Sequence, residues 1–164
     1  MTKKPLLALA LLSLMQLDAG AAELPTAPYL PLDMALKAAS AALAKCQADG
    51  QQVSVAVVER SGATKVLLKA DGSGPHTVAS ATGKAFTSAS MGRDTAGLAN
   101  FIKENGDVEG LRDMDRRLVI LAGGLPIRIG DALVGGIGVG GAPSGSIDET
   151  CAEAGVEAIG GRLK

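Results

Sequence analysis

Tryptophan is absent from this 164-residue chain, and Tyr29, Phe86 and Phe101 are its only aromatic residues. A core must therefore be assembled from Ala, Val, Leu, Ile and Gly, small groups that fill space only when backbones pack close together. The same scarcity removes the stacking platforms on which single-stranded nucleic acids are held. Charge is nearly balanced, with 16 basic and 17 acidic residues and a net of −1, so the basic footprint of a nucleic-acid binder is missing as well. Histidine occurs once, as His76. A three-histidine zinc site is excluded, and no carboxylate–histidine metal spacing is found.

What is present begins with a targeting pattern. Lys3 and Lys4 precede an apolar run over residues 6–15, too short to span a bilayer as a mature helix. Ala19-Gly20-Ala21, or Gly20-Ala21-Ala22 one residue on, supplies a small-x-small cleavage pattern. An ordinary N-terminal core helix is the alternative. The reading is a signal peptide over 1–22 and one mature domain over 23–164. The mature protein is then periplasmic or secreted, has no integral membrane segment, and occupies a compartment where disulfides persist.

Along the mature chain, Pro31 suits the first position of a helix, and residues 32–48 follow with Leu36, Ala39, Leu43 and Cys46 on one stripe. Residues 52–60 are rich in valine and read as a strand. Ser61-Gly62 makes a tight turn into an antiparallel partner over 64–70. Residues 76–91 read as a helix with Val78, Ala81, Ala85 and Ala89 inward and Gly92 as its stop. Residues 95–117 are polar and read as surface structure with short helical pieces. Residues 118–122 and 127–129 read as short strands. Residues 132–159 read as a final strand, a tight turn and a closing helix. Runs of adjacent strands imply an α+β domain, with an antiparallel sheet of about five strands flanked by helices.

The closing stretch is the most distinctive. Gly135, Gly136, Gly138, Gly140 and Gly141 lie among Val134, Ile137 and Val139. Glycine weakens a strand, so the run indicates close backbone approach by another element or a ligand. Residues 136–141 also spell G-x-G-x-x-G. A dinucleotide site needs those glycines to open a helix directly within a βαβ unit, followed by an acidic residue on a second strand. Here Pro143 and Gly145 intervene and a single helix follows, which favours close packing over a nucleotide. Ser146 and Glu149 match the S-x-x-E capping box at the helix start, with Ile147, Cys151, Ala154 and Ala158 at helical spacing beyond it.

Few side chains offer chemistry. His76 is either a solvent-facing residue of the first helical turn or the chain's one strong neutral nitrogen ligand. Met34, Met91 and Met114 read as core filler rather than ligands. Arg112, Asp113, Asp115, Arg116 and Arg117 either clamp a carboxylate, since guanidinium forks match that geometry, or form a solvated face of local ion pairs. Cys46 and Cys151 sit on the inward stripes of the first and last helices. If those helices share one face of the sheet, the pair is either bridged or two buried thiols.

Several stretches together resemble the GlcG/HbpS family, whose domain also closes some PduO-type proteins. They are LPLDMALKAASAALA, VAVVERSG, the DG of KADGSG, GKAFTSA, and GGLPIRIGDALVGGIGVGGAPSGSIDETCAEAGVEAI. In this order they cover most of the mature chain. The resemblance implies a profilin-like sheet flanked by helices, in agreement with the element order above. It also implies an exported homo-oligomer that binds haem or a related tetrapyrrole, non-covalently because C-x-x-C-H is absent. In that reading His76 is the axial ligand, reached past the Asp71-Gly72-Ser73-Gly74-Pro75 loop, and Lys69 and Lys84 supply positive charge to the propionates. The sparse inventory fits a binder better than an enzyme. The GlcG branch implies an alternative, an accessory protein of small-acid, glycolate-type metabolism that binds a small carboxylate. A third reading is a structural oligomeric module without catalysis. The chain departs from the family where Glu59-Arg60-Ser61-Gly62 replaces an acidic residue followed by a Gly pair, where Lys69 replaces Arg, and where Asp71-Gly72-Ser73 replaces DGA.

Overall fold

The computed structural model describes residues 23–163, and the signal peptide assigned to residues 1–22 lies outside the described residues. Pro31, in extended conformation, stands at the N-cap of α1 (Leu32–Ala48). The inward face of α1 keeps Ala39, Leu43 and Cys46 of the expected stripe but not Leu36. Ala35, Ala38, Ala39, Ala42 and Cys46 are buried, whereas Leu36 is 45 % exposed. An alanine face lets α1 cross α4 (Gly145–Ala158) closely enough that a Cβ on Gly155 would lie 2.7 Å from the Ala38 carbonyl oxygen.

Strands β1 (Ser54–Glu59) and β2 (Thr64–Lys69) form the expected hairpin. With β3 (Gly124–Ile129) and β4 (Ala132–Gly140) they make an antiparallel sheet in the order β2-β1-β4-β3. Four strands form instead of about five, because residues 118–122 do not join the sheet. They cross the side of α2 (Thr77–Met91) that faces away from it. There the Val119 N–H donates to Thr87 Oγ1 at 2.8 Å, and a Cβ on Gly83 would meet Val119 Cγ2 at 2.2 Å. A helix side chain thus takes up backbone hydrogen bonding that a ladder would otherwise satisfy. Helix α3 (Thr95–Glu104) and a 3₁₀ segment (Gly106–Asp113) fill the polar region before this strap.

Side chains on a strand alternate between faces, and the two faces of this sheet are unlike. Val55, Val57, Ile137, Val139 and Ile127 pack beneath α1 and α4. Ala56 and Val58 meet Ala81, Ala85 and Ala89 of α2 on the other face. The β4 residues that look towards α2 are glycines. A Cβ would lie 2.4 Å from the Ala85 carbonyl oxygen at Gly136, 2.2 Å from that of Ala81 at Gly138, and 2.6 Å from Ser80 Oγ at Gly140. Helix backbone therefore rests almost directly on sheet backbone, and the G-x-G-x-x-G letters belong to this contact. Helix α2 stops at Gly92, which adopts the left-handed conformation (φ 65°) and returns its N–H to the Ser88 carbonyl at 2.9 Å.

The start of α4 is a correction. The extended residue at its entrance is Ser144, whose Oγ accepts from the Ile147 N–H at 3.4 Å. Ser146 already lies within the helix, so the Ser146–Glu149 box does not form. Cys46 and Cys151 join α1 to α4 as a disulfide, with Cα atoms 5.5 Å apart and both residues fully buried. The two helices do share one face of the sheet. A bridge across 105 residues removes unfolded-chain entropy worth about 4–5 kcal/mol.

The glycine contact yields a direct expectation. Gly138→Ala should destabilise the fold by about 2–3 kcal/mol in urea unfolding, because the new methyl meets helix backbone that cannot rotate aside. Gly106→Ala, where nothing lies within 4 Å, should change stability by less than about 0.5 kcal/mol.

Candidate functional site

The candidate site lies along one flank of α2, beside its contact with the end of β4. His76, Ser80 and Lys84 recur at intervals of four, so they align along one stripe. Thr77, beside His76, fixes the helix start. Its Oγ1 lies 2.7 Å from Ser54 Oγ on β1 and donates to the Gly74 carbonyl at 2.8 Å. His76 is exposed at the N-cap position, and its side chain makes no capping bond. Gly74 leaves room for the imidazole, since a Cβ there would lie 2.8 Å from His76 Cε1.

Two cavities flank this stripe. One of about 620 Å³ lies between α2, the β1–β2 turn and the 116–121 strap, and its lining is mostly apolar, including Ala79, Phe86 and Val119. The other, about 440 Å³, lies towards the entrance of α4 and is more polar, with Ser144, Ser146 and Asp148 in its wall. His76, Ser80 and Leu121 line both, so the two form one trough with an apolar and a polar chamber.

Phe86 anchors the apolar chamber. Its edge fills the place of the missing Cβ at Gly62, and the Arg117 guanidinium covers its face at 4.0 Å from the ring centre. Arg117 also grips Asp115, with Nε to Oδ1 at 3.0 Å and Nη2 to Oδ2 at 2.6 Å. The guanidinium and the Arg117 N–H hold the Asp115 carboxyl down to about 2, and Asp115 in turn pushes the Arg117 pKa up. The pair is solvent-exposed, so its consequence is orientation of Arg117 more than stability. Of the charged run at 112–117, Arg116 and Arg117 line the trough.

The two lysines named from sequence have other partners. Lys69 donates to the Ser73 carbonyl at 2.5 Å and to Ser73 Oγ at 2.8 Å, which ties the end of β2 to the following loop, and it lines neither chamber. Lys84 is 3 % exposed. Its Nζ donates to Asp148 Oδ2 at 2.7 Å and to the Val139 carbonyl at 2.8 Å, while Asp148 Oδ1 accepts the Ala142 N–H at 3.0 Å. This neutralised pair forms part of the wall of the polar chamber. Sequence reading missed Ser80, Phe86 and Leu121 as site residues. Small residues at 79, 82 and 83 beside an isolated Phe were the available signal. Among the described residues, no group of three or more His, Cys, Asp and Glu is placed to hold a metal ion.

The family described as haem-degrading HbpS-like proteins matches residues 30–157. Among solved structures, a double mutant of HbpS from Streptomyces reticuli is 43% identical to this chain. The match covers 87% of this chain and 94% of that one, with a TM-score of 0.78. The Klebsiella pneumoniae protein ORFY is 21% identical over 85% of this chain and 97% of its own, with a TM-score of 0.79. PduOC, solved as a haem complex, is 23% identical over 83% of this chain and 99% of its own, with a TM-score of 0.77. At these identities the last two show a shared fold. No curated protein matches the chain.

The buried pair can be tested alone. Lys84→Met should cost about 3–5 kcal/mol in denaturant unfolding, since it strands the Asp148 carboxylate away from water. Lys84→Met combined with Asp148→Leu should recover much of that loss, which a role in packing alone does not predict.

Proposed function

This chain belongs to the HbpS-like family, and we propose that it binds haem or a related tetrapyrrole, non-covalently, in the trough along α2. The observation that carries the reading is the division of the trough. An apolar chamber of about 620 Å³ adjoins a polar one of about 440 Å³, and the chain's single imidazole stands at their boundary. The apolar chamber suits a flat tetrapyrrole ring, the guanidinium groups of Arg116 and Arg117 at that chamber suit its carboxylate arms, and the chamber sizes fall within the usual range of ligand pockets. A small carboxylate by itself leaves the apolar chamber unfilled. HbpS, at 43% identity, and PduOC, solved with haem, lend the reading further support.

In this proposal His76 donates one imidazole nitrogen to the iron. Arg116 and Arg117 take the propionates, because guanidinium forks match carboxylates and both line the trough. Lys84 keeps its structural partner Asp148 and acts on the ligand only through the shape of the chamber wall. The bound group would supply iron coordination chemistry. The chain supplies an apolar enclosure, orientation and a single nitrogen.

The proposal includes export and assembly. The targeting pattern over 1–22 and the buried Cys46–Cys151 bridge are both at home in an oxidising compartment. No helix among the described residues is long and apolar enough to cross a membrane. Leu32, Leu36 and Leu67 are exposed in the single chain and leave apolar surface for homo-oligomeric contact.

Titration of the mature protein with haem, followed by visible absorption, tests the reading. A saturable Soret band is expected. His76→Ala should shift that band and weaken binding more than tenfold, about 1.4 kcal/mol or more, with the melting temperature unchanged. An unchanged band in His76→Ala removes the axial assignment. No saturable band in the wild-type protein removes haem.

A further inference from the structure

We propose that the opposite end of α2 holds a second ligand site, a crevice for a compact dianionic phosphate or dicarboxylate. The 15 residues of α2 set it about 20 Å from His76 along the helix axis. The crevice has a volume of about 210 Å³, too small for a macrocycle, and among the described residues Arg93, Arg128 and Arg162 line it together with a single carboxylate, Asp94.

The three arginines come from three parts of the fold. Arg93 lies in the α2–α3 junction, Arg128 on the edge strand β3, and Arg162 in the segment after α4. Hydrogen bonds to backbone carbonyls bring these segments together. The Arg162 N–H donates to the Arg128 carbonyl at 3.0 Å, which lays the final segment beside β3. Arg128 Nη2 donates to the Gly92 carbonyl at 3.1 Å, which holds that side chain against the end of α2. Like charges brought together this way repel one another unless an anion joins them.

Among the described residues one acid, Asp131, pairs with one of the three arginines, and none joins them. Asp94 caps α3 by accepting from the Gly97 N–H, and it forms no ion pair with the three arginines among the described residues. Glu149 stands near Asp94 rather than in the crevice lining, and partial burial, then the Asp94 and Glu153 charges, raise its pKa. Asp131 pairs with Arg162 from the rim and is 99 % exposed. Arg93 packs over Phe101 at 5.3 Å from the ring centre, a contact that uses its face and leaves its N–H donors. A guanidinium carries five donors in a planar fork. Forks from several directions suit a compact anion with two acidic groups or a tetrahedral phosphate.

Calorimetric titration of the mature protein with inorganic phosphate, and separately with succinate, decides the matter, each run against chloride at matched ionic strength. Saturable binding of one anion per chain at roughly millimolar affinity or better is expected. Binding of phosphate alone assigns the phosphate class, and binding of succinate assigns dicarboxylates. Arg93→Gln combined with Arg162→Gln, both exposed, should weaken that binding more than tenfold. Removing two exposed charges elsewhere, as Lys37→Gln with Lys103→Gln, should leave it within twofold. Failure of both anions to saturate, or equal loss in the two double variants, overturns the site.

Discussion

The contact between the backbone of α2 and the bare backbone of β4 sets the dimensions of everything else in this protein. Without Cβ atoms at Gly136, Gly138 and Gly140 the helix descends until its carbonyls nearly touch the strand. Polar side chains then reach from the helix to the sheet. Ser88 Oγ donates to the Leu125 carbonyl at 3.0 Å, Thr77 meets Ser54, and Lys84 reaches the Val139 carbonyl. A helix held higher by even one methyl layer would lose these bonds together. A chain almost without aromatics gains its density this way, by proximity of backbones in place of large side chains.

The same descent shapes the trough. Ala81, Ala85 and Ala89 are used up against the sheet, so the opposite side of the helix is free to carry His76, Ala79 and Phe86. Gly83 notches that side and seats the strap through Val119, which raises one wall. The Lys84–Asp148 pair ties α2 to the first turn of α4 and thereby fixes the other wall. Buried ion pairs contribute little net stability compared with apolar packing, and here the consequence of the pair is positional. Charge within the wall is cancelled, while the unburied guanidinium groups of Arg116 and Arg117 remain at the apolar chamber.

Much of the architecture was legible because local signals and the fold agree. The valine-rich first strand, the Ser61-Gly62 turn, the bounds of α1, the Gly92 stop and the long glycine strand all follow from composition and turn chemistry. The missing strand shows where periodicity runs out. Residues 118–122 are apolar and short, and such a run reads alike whether it joins a ladder or lies across a helix. Leu36 was misplaced because a leucine ordinarily outranks alanine for the interior, whereas α1 must approach α4 within reach of Gly155. Lys84 was the least legible residue of the site, since its partner lies 64 positions away and a mid-helix lysine is ordinarily solvated. The cysteines were legible as to face, while their bonding depends on a separation that only the fold supplies.

The central claim is that the trough along α2 is where a tetrapyrrole binds. The most direct measurement is an anomalous difference map, collected at the iron edge, from crystals of the protein grown with haem. The account predicts one dominant iron peak beside α2, within bonding distance of the His76 imidazole, with the ring density in the apolar chamber between the β1–β2 turn and the 116–121 strap. An iron peak away from α2, in a protein shown to carry one haem per chain, would contradict it.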